Sequence, residues 1–176
     1  MTVYAALLRA IGPASHAKMR PSALRDRAEE AGFERPVNYL ATGNLIFGSA
    51  KSKAEVRREI AALVEGFGLT SEVFIVTLPQ MRSLVAATPL PEATHDRPDR
   101  VGVCFFHRTL KWPEALLHPD GPELVVPVGA TLVIDYGPGT AASKLRVEKL
   151  AGATMTQRNW NTVLGVLERM QDHKRN

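Results

Sequence analysis

Val37-Asn-Tyr-Leu-Ala-Thr-Gly-Asn-Leu-Ile-Phe47 is the stretch from which the fold is read. Two short apolar segments, 37–40 and 45–47, flank Ala41-Thr-Gly-Asn44, and Gly and Asn enter the positive-φ conformations of a tight turn at low steric cost. A hairpin is therefore expected. Downstream, Ser52 and Glu55 stand at capping-box spacing, in which each side chain satisfies the other's backbone N–H. Val56, Ile60, Leu63 and Phe67 then recur at helical spacing, and the stripe ends among Gly66 and Gly68. Residues 73–76, Val-Phe-Ile-Val, read as a strand. Upstream, a helix is expected from Pro21 through Leu24, Ala28 and Ala31 to a stop at Gly32, after a loop containing Gly12 and Pro13. Residues 3–8 form an uninterrupted apolar run and read as a strand buried on both faces. The order is βαββαβ, the ferredoxin-like arrangement.

Beyond this region the pattern partly repeats. Thr77 and Gln80 are spaced to cap a helix carrying Met81, Leu84 and Val85, which Pro89 and Pro91 end. Strands are expected at 101–106, 124–126 and 131–135, with helices at 113–117, 141–150 and 159–171. The last helix sets Trp160, Val163, Leu164, Leu167 and Met170 along one face. No final strand is evident in this half, and no residue-by-residue repeat relates the halves. The expected protein is α+β: a ferredoxin-like half over 1–88, a linker over 89–100, and a related second half with a C-terminal helix over 101–176, together forming one compact unit.

The 176 residues are 45% hydrophobic and 23% charged, which excludes a disordered tail, a collagen-like repeat or a coiled coil. One cysteine, Cys104, excludes an internal disulfide framework and a cysteine zinc cluster; within an apolar run it reads as a small buried hydrophobe. Five scattered histidines give no metal-ligand spacing, so neither a metal nor a cofactor is expected. The first residues lack a basic leader and Arg9 interrupts their apolar run, unlike a signal peptide. Nothing approaches the roughly 18 to 20 apolar residues of a membrane span. The expectation is a cytoplasmic protein with no membrane partner.

The formal net charge is +4, from 22 Lys and Arg against 18 Asp and Glu. All of that surplus lies from Lys144 onward, where seven basic residues face three acidic ones. Such a segment reads either as a surface for phosphate groups or as a solvated helix face with a charged terminus. Gly137-Pro-Gly-Thr-Ala-Ala-Ser-Lys144 has the glycines of an anion-accepting turn but not the Gly-Lys-Ser/Thr order of a Walker loop. Gln157-Arg-Asn-Trp-Asn-Thr162 is the densest polar and aromatic cluster. Its Asn and Thr residues suit a helix start, whereas Arg158 opposes the helix dipole unless an anion sits beside it. Trp160 reads first as a core anchor. Asp135, at a strand end, reads as a general base or, more commonly, as the partner of a nearby Lys or Arg. With no GxSxG signature and no paired-carboxylate motif, no catalytic residue is assigned.

Five segments occur in the order in which a bacterial family carries similar ones. They are Ala6-Leu-Leu-Arg-Ala-Ile-Gly12, Lys18-Met-Arg-Pro-Ser-Ala-Leu-Arg25, Tyr39-Leu-Ala-Thr-Gly-Asn-Leu-Ile-Phe47, Ser143-Lys-Leu145 and Gln157-Arg-Asn-Trp-Asn-Thr162. Over nearly its whole length the chain resembles the bacterial domain-of-unknown-function family 1697. The resemblance implies an α+β fold related to the ferredoxin-like arrangement and implies no reaction, cofactor or catalytic residue. Where the family tends to a Val-Gly-Gly loop, this chain has Pro13 and Ala14, which remove an amide donor and restrict the backbone.

An RNA platform would stack bases on Tyr4 and Phe47, but no ribonucleoprotein signature is present and both faces of the first strand are apolar. The leading expectation is a binding protein for an anionic ligand, either a nucleotide-like molecule or a nucleic-acid backbone. Its candidate residues are Arg9, Thr42, Gly43, Asn44, Ser143, Lys144, Arg158, Asn159 and Asn161, all at expected strand ends, turns and helix starts. One alternative is an enzyme acting on a small phosphorylated or acyl substrate in a pocket lined by these residues. The other is a structural or oligomerising module in which the asparagines cap turns and helices.

Overall fold

The computed structural model describes residues 1–175. The chain runs β1 (Thr2–Leu8), α1 (Pro13–His16), α2 (Pro21–Glu30), β2 (Glu34–Asn38), β3 (Asn44–Ser49), α3 (Lys53–Glu65), β4 (Val73–Thr77), α4 (Leu78–Ala86) and α5 (Pro91–Asp96). It continues through β5 (Val101–Phe105), α6 (Glu114–Leu117), β6 (Leu124–Val128), β7 (Thr131–Asp135), α7 (Val147–Ala151), β8 (Thr156–Asn159) and α8 (Trp160–Arg175). There are two compact units, Met1–Met81 together with the chain from Gly165, and Arg82–Leu164.

The first unit is an antiparallel sheet in the order β2-β3-β1-β4. Ser52 and Glu55 form the expected capping box at the start of α3, satisfying two amides that the helix leaves without partners. Alternate residues of β1 and β3, among them Tyr4, Ala6, Leu8, Leu45 and Phe47, pack with Leu24 and Ala28 of α2 and Val56, Ile60 and Val64 of α3. Val3, Ala5 and Leu7 on the other face of β1 are buried as well. Tyr4 and Phe47 thus belong to the core, with ring centroids 6.1 Å apart, and offer bases no stacking surface. The end of α8 closes onto this unit. His173 Nε2 lies 2.9 Å from the Glu34 carbonyl, and the Arg169 guanidinium stacks 4.0 Å over the Tyr39 ring.

The second unit repeats the architecture, with the antiparallel order β6-β7-β5-β8. Its core gathers Cys104, Leu132, Ile134 and Tyr136 of the sheet region under Leu116 of α6 and Val147 of α7. The final strand missing from the sequence reading is β8, whose polar Thr-Gln-Arg-Asn shows no apolar alternation. It is held by its ladder to β5 and by Gln157, whose Oε1 accepts from the Tyr136 hydroxyl at 2.7 Å and from the Cys104 thiol at 3.4 Å. Gly102 makes room for this pair, since a Cβ there would come 2.8 Å from both Gln157 Cδ and the Tyr136 ring.

Two expectations are corrected. Residues 89–100 hold α5 and a 3-10 turn (Pro98–Arg100), because Pro91 and Pro98 occupy helix-start positions, where a missing N–H costs little. The division between units instead falls inside α4 and again inside α8. The helix expected at 141–150 begins only at Val147. Ahead of it, Ser143 Oγ accepts from Leu145 N–H at 3.1 Å, a local bond that competes with helical hydrogen bonding. Among the described residues no helix is long and apolar enough to cross a membrane.

Candidate functional site

The loop after α6 and the segment entering α7 enclose an open cleft of about 600 Å³ in the second unit. Residues 119–123 form one side, including Asp120 and Glu123; residues 142–150 form the other, including Lys144, Arg146 and Lys149. The three cations are exposed and make no ion pair with the described residues. Glu123, by contrast, is only 5% exposed. Its Oε1 accepts a short hydrogen bond from Ser143 Oγ, so hydroxyl and carboxylate tie the two sides together. Its Oε2 lies over Gly121, where a Cβ would collide with it. Burying a carboxylate costs several kcal/mol unless it is bonded, so the Ser143 brace is a condition for the cleft.

Arg9, Thr42, Gly43 and Asn44 come together at one end of the first unit's sheet, where Leu8 N–H donates to the Gly43 carbonyl at 2.8 Å. There they bond and pack within the chain. Asn44, 1% exposed, donates from Nδ2 to the Tyr39 carbonyl at 2.9 Å and to Thr42 Oγ1 at 3.2 Å. Gly43 has φ of +78°, and a Cβ would come 3.0 Å from Leu8 Cβ. The guanidinium of Arg9 lies 4.0 Å from the Glu72 carboxylate. The crevice beside this turn, bordered by Ile11, Met19, Leu24 and Leu40, holds about 10 Å³, space for no more than one water.

Arg158, Asn159 and Asn161 sit at the β8 edge, with β5 and β7 between them and β6. Strand alternation sends Arg158 to the face opposite Gln157, and its guanidinium donates to Thr156 Oγ1 at 2.9 Å and to the Gln157 carbonyl at 2.8 Å. Desolvation lowers its pKa to about 10, which leaves it protonated at neutral pH. Asn159 Oδ1 accepts from Thr162 N–H at 2.8 Å and caps α8. Asn161 is exposed on the first turn of that helix. None of the three lines the cleft. Of the residues singled out from the sequence, Lys144 lines it and Ser143 braces it. Glu123, Asp120, Arg146 and Lys149 were missed; the last two lie in the basic segment already noted, whereas nothing in the sequence marks Glu123.

Asp135 is the partner of an arginine. Arg97 Nε and Nη2 donate to its two oxygens at 3.1 and 2.5 Å, and Gly137 N–H donates to Oδ1 at 2.9 Å. The Arg97 guanidinium, followed by the Gly137 amide, holds this carboxyl below the usual range against the opposing effect of burial. Burial also pushes the Cys104 thiol up to about 12, an inert thiol at neutral pH. Among the described residues no group of three His, Cys, Asp or Glu side chains is placed to hold a metal ion.

Two four-stranded antiparallel sheets of the same strand order, each backed by helices, define a duplicated ferredoxin-like α+β protein. The chain belongs to the family described as protein of unknown function (DUF1697), whose model matches residues 1–119. No curated protein matches it in sequence. Among solved structures, the conserved bacterial protein SP0830 from Streptococcus pneumoniae is similar, at 17% identity over 96% of this chain and 98% of that one, with a TM-score of 0.69. At that identity the likeness is one of fold.

Proposed function

We propose that the cleft of the second unit binds a small phosphorylated molecule. The observation that carries this reading is the convergence of Lys144, Arg146 and Lys149, three cations without ion-pair partners among the described residues, on one concavity of about 600 Å³. That volume falls within the roughly 300–1,000 Å³ usual for small-ligand sites. A nucleic-acid backbone is favoured less, because it would need cations strung along a surface rather than gathered in a cleft. Each exposed cation contributes about 0.2–1 kcal/mol to an ion pair, so the three alone give weak, salt-sensitive binding. The reading goes with a cytoplasmic location.

Calorimetric titration with methyl phosphate at low ionic strength tests it. Binding no tighter than several millimolar, weakened severalfold by Lys149→Glu and again by 0.2 M salt, is expected. No heat of binding, or binding that Lys149→Glu leaves unchanged, would overturn it. Circular dichroism of the variant checks that the fold is kept, as expected because the Lys149 side chain is exposed and makes no hydrogen bond with the described residues.

A further inference from the structure

The Glu123 carboxylate is half used. One oxygen is taken by Ser143, yet Oε2 receives no hydrogen bond from the described residues, although the residue is 95% buried and borders the cleft. His173 Nδ1 is the only fully buried side-chain polar atom without a partner among the described residues, so solvent still reaches Glu123 Oε2 through the cleft, where it is an open acceptor for a donor brought by a ligand. The cleft's other charges decide which donor. Lys144, Arg146 and Lys149, three cations against the one further carboxylate of Asp120, disfavour a ligand ammonium group, whereas a hydroxyl brings a hydrogen without adding positive charge. Ser143 Oγ donates to Glu123 and accepts from Leu145 N–H, and the residue braces the cleft without lining it.

Resting on the phosphate-binding reading above, the geometry points to Glu123 as a specificity residue that accepts a hydrogen bond from a ligand hydroxyl. The preferred ligand class is then a phosphate ester of a polyhydroxylated carbon skeleton, a sugar phosphate, over an anion of equal charge without hydroxyls. The acidic residue selects among anions that the cations alone hold equally well.

The test compares ribose 5-phosphate with methyl phosphate at one ionic strength and pH, on the full chain and on Glu123→Gln. In the unmodified protein ribose 5-phosphate binds about tenfold more tightly, the equivalent of one hydrogen bond to a charged group. In Glu123→Gln that advantage falls severalfold, while methyl phosphate binds as well or better because a negative charge has left the cleft. Retained methyl phosphate binding also shows that the variant's cleft is intact. Equal affinity for the two esters in the unmodified protein overturns the role of Glu123 and leaves the phosphate site standing. Loss of methyl phosphate binding in Glu123→Gln assigns the residue to bracing alone and overturns the inference too. If neither ester binds the unmodified protein, the phosphate site itself has failed.

Discussion

Replacing Arg97 by alanine strips a buried carboxylate of its main partner, and the structure sets the size of the effect. Asp135 is 2% exposed and is held by both arms of the guanidinium and by one backbone amide. Breaking a buried pair costs about 3–5 kcal/mol, but 36% of the Arg97 side chain is exposed, so water reaches the carboxylate after truncation. A loss of about 2–3 kcal/mol is expected on that discounted basis. At about 2–4 °C per kcal/mol for a chain of this length, the melting temperature falls by about 4–12 °C.

The pH dependence has a definite sign. A carboxyl whose native pKa lies below its unfolded value of about 3.9 contributes stability that is complete above that value and is lost as pH falls through the native pKa. The gap between the unmodified protein and Arg97→Ala is therefore widest near pH 7 and narrows as pH is lowered towards 3. Urea denaturation followed by circular dichroism at pH 7, 5 and 3.5 measures it, and Asp135→Asn in the Arg97→Ala background recovers part of the loss by removing the stranded charge. A gap under about 1 kcal/mol at pH 7, or one that stays constant to pH 3.5, would show that Arg97 does not hold Asp135 in this way.

Gly43→Ala places a Cβ 3.0 Å from Leu8 Cβ and 3.1 Å from the Ile11 side chain at a φ of +78°. It is expected to lower stability by about 1–3 kcal/mol in urea denaturation while leaving phosphate binding in the other unit unchanged. Cys104, fully buried with its thiol pushed up to about 12, should react with a disulfide reagent at pH 8 only as fast as the protein unfolds. Rapid stoichiometric labelling of the native protein would contradict its burial.

Legibility in the sequence followed the source of each element's stability. The first unit's order was readable because its determinants are local and apolar: the run at 3–8, the Thr42-Gly43-Asn44 turn, the Ser52 and Glu55 box, and the stripe of α3. Strand β8 was not readable, because Gln157 is satisfied by Tyr136 and Cys104, distant in sequence, rather than by apolar contacts. The delayed start of α7 goes with the local bond from Leu145 N–H to Ser143 Oγ, an oxygen that also donates to a carboxylate 20 residues earlier. The prolines of 89–100 signalled a break, yet two of them start helical turns. As for the candidate cleft, residue types at strand ends and helix starts singled out Lys144, which lines it, and Ser143, which braces it, together with several turn-formers and caps. Only the tertiary meeting of residues 119–123 with 142–150 separates the two groups.

The proposed function places phosphate in the cleft of the second unit and not at the Thr42–Asn44 turn or the β8 edge. A nitrogen-15 NMR titration of the assigned protein with methyl phosphate tests it most directly. Saturable amide shifts concentrated at residues 119–123 and 143–149 are expected, with residues 8–12, 41–44 and 158–161 left in place. Saturable shifts centred on any of those last three segments, or none at all, would contradict it.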